Sequence, residues 1–251
     1  TAGLSPDFVY VNPLGFLALG LWNWGMYFSP LARRQYQSRH DGHLPQVAIA
    51  DLAFSTHAFF ISLVTFSQVL WYARKNKTAA GRDRDERDRL IPTPEERNKL
   101  DFETAATPSV PCQLAIAGIF VSFIVAAFLV WIGKAEWLDW LYVASAVKLF
   151  VSVIKFMPQV ILNWRLRSVE GFAIGQILAD LTGSIFSLTQ LVVSSLAIAH
   201  DPSGIVANPA KLGLAAVSLS FDLVFLLQKY WLFRGQTMER RGDRVDEEIG
   251  E

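Results

Sequence analysis

The chain has 251 residues, of which 52% are hydrophobic, and its 23 basic and 23 acidic residues give a net charge of zero. This balance excludes the overall basic field that nucleic-acid binding needs. The single cysteine, Cys112, excludes an internal disulfide framework. The sequence shows no constellation for a catalytic nucleophile and no cluster of metal ligands, so we expect neither an enzyme nor a bound cofactor other than protons.

Six apolar segments are long enough to cross a membrane, because a spanning helix needs about 20 mostly apolar residues. In chain order they are 8–28, 47–72, 112–132, 138–162, 172–199 and 212–233. We therefore predict an all-α polytopic membrane protein with six transmembrane helices.

Most lysines and arginines lie in segments 74–111 and 163–171 and in the tail after residue 233. Positive residues favour the cytosolic side, so we place these three segments and the C-terminus there. We predict that the charged segment 74–111, which contains four prolines, is a flexible loop. Glu86, Leu90 and Ile91 resemble an acidic dileucine signal, which makes cytosolic sorting or signalling proteins candidate partners of this loop.

Polar residues recur in the same order in spans one and five and in spans two and six. The aligned pairs are Asn12 with Asp180, Gly15 with Gly183, Asp51 with Asp222 and His57 with Gln228. We interpret the repeat as two related bundles, 1–73 and 138–234, which are joined by a linker helix at 112–137 and followed by a tail at 235–251. The first bundle then has only two of three helices, so we expect that a first helix is missing; a genuine six-span protein is the alternative.

Ionisable side chains at membrane depth cost about 2.5–3.5 kcal/mol, so they usually face a cavity or a partner. Lys148 and Lys155 lie two turns apart on one face of span four, and Gln176 and Asp180 share a face of span five. The functional interpretation is a polar cavity in which lysines meet the carboxylates of a zwitterionic ligand and an aspartate carries a proton. The alternative is a static bridge from a lysine to Asp180 or Asp222.

Pro158-Gln159 lies one turn before the cytosolic end of span four. Proline removes a backbone donor and bends a helix, so the pair is a candidate hinge for alternating access. A plain proline kink is the alternative.

An ordered set of motifs follows this element. It consists of Lys155-Phe156-Met157-Pro158-Gln159, Asn163, Ser168-Val169-Glu170-Gly171 and Asp180-Leu181-Thr182-Gly183. The set resembles the second PQ-loop of the cystinosin family, and the resemblance extends over essentially the whole chain. It implies a PQ-loop, SWEET-like 3+1+3 helix bundle, of which the first helix is absent here.

The resemblance also implies a proton-coupled secondary transporter that exports L-cystine from the lysosome or vacuole by alternating access. It implies that Asp180 is the principal proton-coupling carboxylate and that Asp51 belongs to the polar set of the family's third helix. Asp51 is predicted as a second proton-coupling residue. Cystine contacts are implied for Asn12, Lys148, Lys155, Gln176 and Asp180. Two other functions stay open: transport of cationic amino acids, against which Lys148 argues, and a membrane nutrient sensor or scaffold that does not transport.

Overall fold

The structure is a computed structural model that describes residues 6–86, 108–167, 169, 174–198, 200, 202–206 and 209–234. Some side chains within these ranges, including those of 76–86, Pro158 and Gln176, lie outside the description. The helices are α1 (Pro6–Phe28), α2 (Pro30–Arg39), α3 (Ile49–Glu86), α4 (Val110–Trp131), α5 (Trp137–Leu166), α6 (Ile174–Val193) and α7 (Pro209–Leu227). The π-helical turns Ser194–Ile198 and Gln228–Leu232 extend α6 and α7.

Five of the described helices are long and apolar enough to cross a membrane. The spanning stretches are Ile49–Lys75, Val110–Trp131, Trp137–Arg165, Ile177–Ala197 and Lys211–Leu232. These correspond to predicted spans two to six and confirm an all-α polytopic membrane protein. The first predicted span forms the 23-residue helix α1 but is not among the five, because two asparagines and Pro13 lower its hydropathy.

One local prediction was wrong, and one short helix was not predicted. The segment 74–111 was predicted to be a flexible loop, yet α3 continues through its first part to Glu86; residues 87–107 lie outside the described ranges. The polar segment after α1 was not predicted to be helical, yet it forms α2. Pro30 opens this helix, and the Ser29 hydroxyl accepts a hydrogen bond from Ala32 N at 3.2 Å, so serine and proline provide a regular helix start.

The turn between α4 and α5 is set by local sequence. Gly133 adopts a left-handed conformation (φ 72°), and Lys134 N donates to Leu129 O at 2.9 Å, which is the hydrogen bond of a glycine-terminated helix. Asp139 then accepts a hydrogen bond from Glu136 N at 2.8 Å and caps the start of α5.

The chain divides into two compact units, Thr1–Gln35 with Val47–Lys148 and Tyr36–Gln46 with Leu149–Glu251. The boundary at Lys148 falls within α5, whereas the sequence placed the bundle boundaries at 112–137. The predicted division into two repeated bundles and a linker stays a prediction.

In the first unit α1 packs along α3. Trp22 and Met26 are buried on α1, and Asn23 is buried beside them. Asn23 Nδ2 donates to Asp51 O at 3.0 Å and to the Ser55 hydroxyl at 3.2 Å, so this buried amide is satisfied by groups on α3.

The start of α4 is tied to the start of α1. The two carboxylate oxygens of Asp7 accept hydrogen bonds from Ser109 N and from the Ser109 hydroxyl, each at 2.6 Å. Ser109 is the N-cap of α4, and Cys112 is buried in its first turn. The carboxylate of Asp7 therefore stabilises the positive end of the α4 dipole.

In the second unit α6 packs against α7, and aromatic rings join α5 to α7. The ring centroid of Phe156 lies 5.3 Å from that of Phe221 and 6.0 Å from that of Phe225. Phe225 is fully buried. This apolar contact holds the two helices together next to the ionisable side chains described below.

Candidate functional site

Three ionisable side chains of the second unit converge from three helices. Lys155 comes from α5, Asp180 from α6 and Asp222 from α7. They lie close enough to interact electrostatically: Lys155 attracts both aspartates, and the two aspartates repel each other. Lys155 Nζ also lies 4.3 Å from the ring centroid of its neighbour Phe156, so an aromatic face accompanies the cation.

Asp222 is the most enclosed member of this cluster. Its side chain is 0% exposed, and both of its carboxylate oxygens are buried without a hydrogen-bond partner among the described residues. Lys155 and Asp180 are half-buried. Since buried polar groups are normally satisfied, Asp222 is an exception among the described residues of this unit, as is the Ser195 hydroxyl, and a buried carboxylate of this kind calls for a functional explanation.

The Pro-Gln element continues into a chain of side-chain amides. Gln159 Nε2 donates to Asn163 Oδ1 at 2.8 Å, and Asn163 Nδ2 donates to Gln228 Oε1 at 3.0 Å. Gln228 Nε2 in turn donates to the backbone carbonyl of Val160 at 3.0 Å. The predicted hinge residue Gln159 on α5 is therefore connected to the end of α7.

The first unit places Lys148 against α1. Lys148 is 4% exposed, and its Nζ lies 3.7 Å from the ring centroid of Phe16, which is a cation–π contact in a largely apolar environment. Asn12 lies one turn earlier on α1, and its Oδ1 is buried without a hydrogen-bond partner among the described residues. Ligand contacts from Asn12 and Lys148 stay predictions.

Asp51 lies in a different setting from the other site candidates. It lies in the first turn of α3, and its Oδ2 accepts a hydrogen bond from Ala48 N at 2.8 Å. Asp139 makes the same contact at the start of α5, so this geometry is that of a helix cap. A role of Asp51 in proton coupling stays a prediction beside this structural role.

Two predicted site residues are described by their backbone alone. Pro158 lies within α5, and Gln176 lies in the first turn of α6. Both side chains lie outside the described part, so the hinge at Pro158 and the ligand contact from Gln176 stay predictions.

Asp222 and Gln228 were not predicted as site residues from the sequence. Both were visible as partners of Asp51 and His57 in the internal repeat, but neither was assigned a role in the site. The signal that points to them is position: an aspartate near the middle of an apolar span and a glutamine one and a half turns later have few partners within their own helix. Their enclosure in the structure makes both of them members of the candidate site.

The chain is similar in sequence to a known repeat family and to several named membrane proteins. Residues 140–200, which contain the Pro-Gln element, match the family model described as PQ loop repeat. Cystinosin of Drosophila melanogaster is 32% identical over 235 residues, covering 92% of this chain and 51% of the fly protein. Cystinosin of Bos taurus is 30% identical over 236 residues, covering 92% of this chain and 55% of the bovine protein. A Cystine transporter of Saccharomyces cerevisiae is 33% identical over 94 residues, covering 36% of this chain and 35% of the yeast protein.

The spanning helices and the matched repeat define a multi-pass membrane protein of the PQ-loop class. Within that class, the similarity to cystinosins over 92% of the chain supports a cystinosin-family protein. The membrane class predicted from the sequence is thereby confirmed, and the family predicted from the sequence motifs is supported. The chain spans about half the length of the fly and bovine relatives that it matches.

Proposed function

We propose that this protein is a proton-coupled secondary transporter that exports L-cystine from an acidic lysosomal or vacuolar lumen to the cytosol. The observation that carries the proposal is the cluster of Lys155, Asp180 and Asp222, in which Asp222 is completely enclosed. The name of the yeast relative, Cystine transporter, supports cystine as the substrate. An acidic lumen belongs to the proposal because export driven by protons requires one.

The proton-coupling step follows from the charge balance of the cluster. An ionised carboxylate in an enclosed environment needs a cation or a proton to neutralise it. Lys155 supplies one positive charge, while Asp180 and Asp222 supply two carboxylates. One lysine cannot neutralise both aspartates, so one of them takes up a proton on the acidic side and releases it on the neutral side.

The ligand connects this balance to transport. Cystine carries two ammonium and two carboxylate groups at neutral pH, so one of its carboxylates can pair with Lys155 and one of its ammonium groups with Asp180. A ligand carboxylate on Lys155 competes with the two aspartates for the lysine charge. With Lys155 paired to the ligand carboxylate and Asp180 to the ligand ammonium, Asp222 is the carboxylate left without a cation. Asp222 therefore takes up the proton when cystine is bound, which couples the two movements.

The proposal also includes a hinge, an orientation in the membrane and further residues that contact cystine or couple protons. Alternating access uses the Pro158-Gln159 element as a hinge in α5, and the C-terminus lies in the cytosol together with the segment 74–111. Asn12, Lys148 and Gln176 are proposed as further cystine contacts, and Asp51 as a second proton-coupling carboxylate.

The proposal is tested by uptake of labelled cystine into proteoliposomes that contain the full-length protein, with and without an inward proton gradient. We expect uptake to be stimulated by the gradient. Asp180→Asn and Asp222→Asn should lose this stimulation. Asp222→Asn should still exchange labelled for unlabelled cystine, because Asp222 is not among the proposed ligand contacts, whereas Asp180→Asn should also weaken cystine binding because it removes the partner of the ligand ammonium group. Asp139→Asn, which alters a helix cap, is the matched control and should keep the stimulation.

The outcomes separate the rival functions. Gradient-stimulated uptake that is unchanged in both Asp180→Asn and Asp222→Asn would rule out proton coupling through this cluster. Saturable cystine binding without any uptake would favour a sensor or scaffold. Uptake of labelled lysine or arginine in place of cystine would favour a transporter of cationic amino acids.

A further inference from the structure

The amide chain that starts at Gln159 has a single direction. Each amide donates its N–H to the oxygen of the next, from Gln159 to Asn163 and from Asn163 to Gln228, and the last N–H reaches the carbonyl of Val160. Hydrogen bonds that run head to tail polarise one another in a low-dielectric interior. Gln228 uses both its donor and its acceptor on α5, so it fixes the orientation of Asn163 and, through it, that of Gln159.

The amide chain is shielded from water at its centre. Asn163 is 3% exposed and Gln228 is 1% exposed. Water therefore has little access to replace a broken bond, and a buried amide left without a partner is costly. The contact between α5 and α7 at this point should have two discrete states, joined or separated, and few intermediate arrangements.

The amide chain also connects two places at which the regular helical hydrogen bonding of α5 and α7 is interrupted. On α5 it begins next to Pro158, which has no N–H and removes one backbone hydrogen bond of the helix. On α7 it ends at Gln228, the first residue of a π-helical turn in which Phe233 N donates to Gln228 O at 2.9 Å. Such turns and prolines are where helices bend or shift most readily.

From these observations we infer that Gln228 is a positioning residue for the Pro-Gln element and that Gln159, Asn163 and Gln228 form a latch. The latch joins α5 to α7 in one state of the transport cycle and separates in the other. This inference rests on the proposed transport function and adds a gate to it. It assigns to Gln228 an indirect role, since Gln228 acts through Asn163 and Gln159.

The test replaces the central amide pair by a pair that a metal ion can close. Two histidine nitrogens on one Zn²⁺ lie about 3.4 Å apart, given Zn–N distances of about 2.0–2.1 Å, and Asn163 Nδ2 lies 3.0 Å from Gln228 Oε1. The variant Asn163→His/Gln228→His in the full-length protein should therefore bind Zn²⁺ across α5 and α7. A metal bridge is preferable to an engineered disulfide because cystine itself exchanges with thiols.

The readout is cystine uptake with Zn²⁺ and after its removal by EDTA. We expect Zn²⁺ to lower the initial rate at least tenfold in the double variant, with full recovery in EDTA, while cystine binding persists. Asn163→His and Gln228→His alone are the controls and should be insensitive to Zn²⁺. If Zn²⁺ raises the thermal stability of the double variant but leaves uptake unchanged, the two helices stay joined throughout the cycle and the latch is refuted.

A second comparison keeps the inference testable if the histidine pair does not fold. Gln228→Met removes the amide and keeps the length of the side chain, and Asn23→Leu removes another buried amide far along the sequence. A latch predicts that Gln228→Met changes the maximal uptake rate at least threefold with little change in KM, whereas Asn23→Leu does not. Equal effects of the two variants would mean that Gln228 has only a structural role. Absence of cystine uptake by the unmodified protein would instead contradict the transport function.

Discussion

Gly25 lets α1 and α5 approach closely within the first unit. A Cβ atom at Gly25 would lie 2.5 Å from Leu141 Cδ2 and 2.9 Å from Leu141 Cδ1, and Leu141 is fully buried. Both distances are well below the optimal carbon–carbon separation of about 3.5–4.0 Å. Gly25→Ala should therefore lower the free energy of unfolding by about 1–3 kcal/mol, the range for an overpacked core.

Gly20 provides the matched control on the same helix. No atom lies within 4 Å of a Cβ built at Gly20, and alanine favours a helix over glycine by about 1 kcal/mol. Gly20→Ala should therefore leave the stability unchanged or raise it, so the two variants should differ by about 1–4 kcal/mol.

The assay is unfolding by sodium dodecyl sulfate in mixed micelles, followed by tryptophan fluorescence. The same two helices also meet at Phe16 on α1 and Lys148 on α5, whose Nζ lies 3.7 Å from the ring centroid. Equal stability of Gly25→Ala and Gly20→Ala would show that α1 and α5 do not pack closely at Leu141, and the reasoning would fail.

Two further predictions concern aspartates. Asp7→Asn should cost about 1–2 kcal/mol in the same titration, because the amide cannot accept both hydrogen bonds from Ser109; an unchanged midpoint would show that the joint between α1 and α4 is not stabilising. Asp51→Asn and Asp139→Asn should lower stability by similar amounts, since both side chains cap helices. The prediction that Asp51 couples protons requires in addition that Asp51→Asn loses gradient stimulation and Asp139→Asn keeps it, and stimulation retained in both would leave Asp51 as a cap.

The membrane-spanning helices could be predicted from the sequence because their length and apolar composition define them. Spans two to six could be identified because each stretch of apolar residues is long enough to span a bilayer. The extension of α3 to Glu86 was missed because charge was taken as a sign of a loop. The segment 74–86 contains no proline and is rich in alanine, arginine and lysine, which favour helices regardless of their charge.

The site was only partly predictable, because periodicity gives the face of a helix but neither its depth nor its partners. The internal repeat aligned Asp51 with Asp222, yet Asp51 caps the start of α3 while Asp222 is enclosed near the middle of α7. The hydrogen bond between Asn163 and Gln228 joins residues far apart in the sequence. No spacing rule within one helix predicts such a contact, which depends on how α5 and α7 pack.

Joint movement of cystine and protons through the Lys155, Asp180 and Asp222 cluster can be measured as proton movement under a cystine gradient alone. Proteoliposomes with equal pH inside and outside are given external cystine, and the internal pH is followed with a trapped fluorescent dye. We expect the interior to acidify in step with cystine entry, and we expect this acidification to be lost in Asp222→Asn. Cystine entry by the unmodified protein without any acidification would contradict this joint movement.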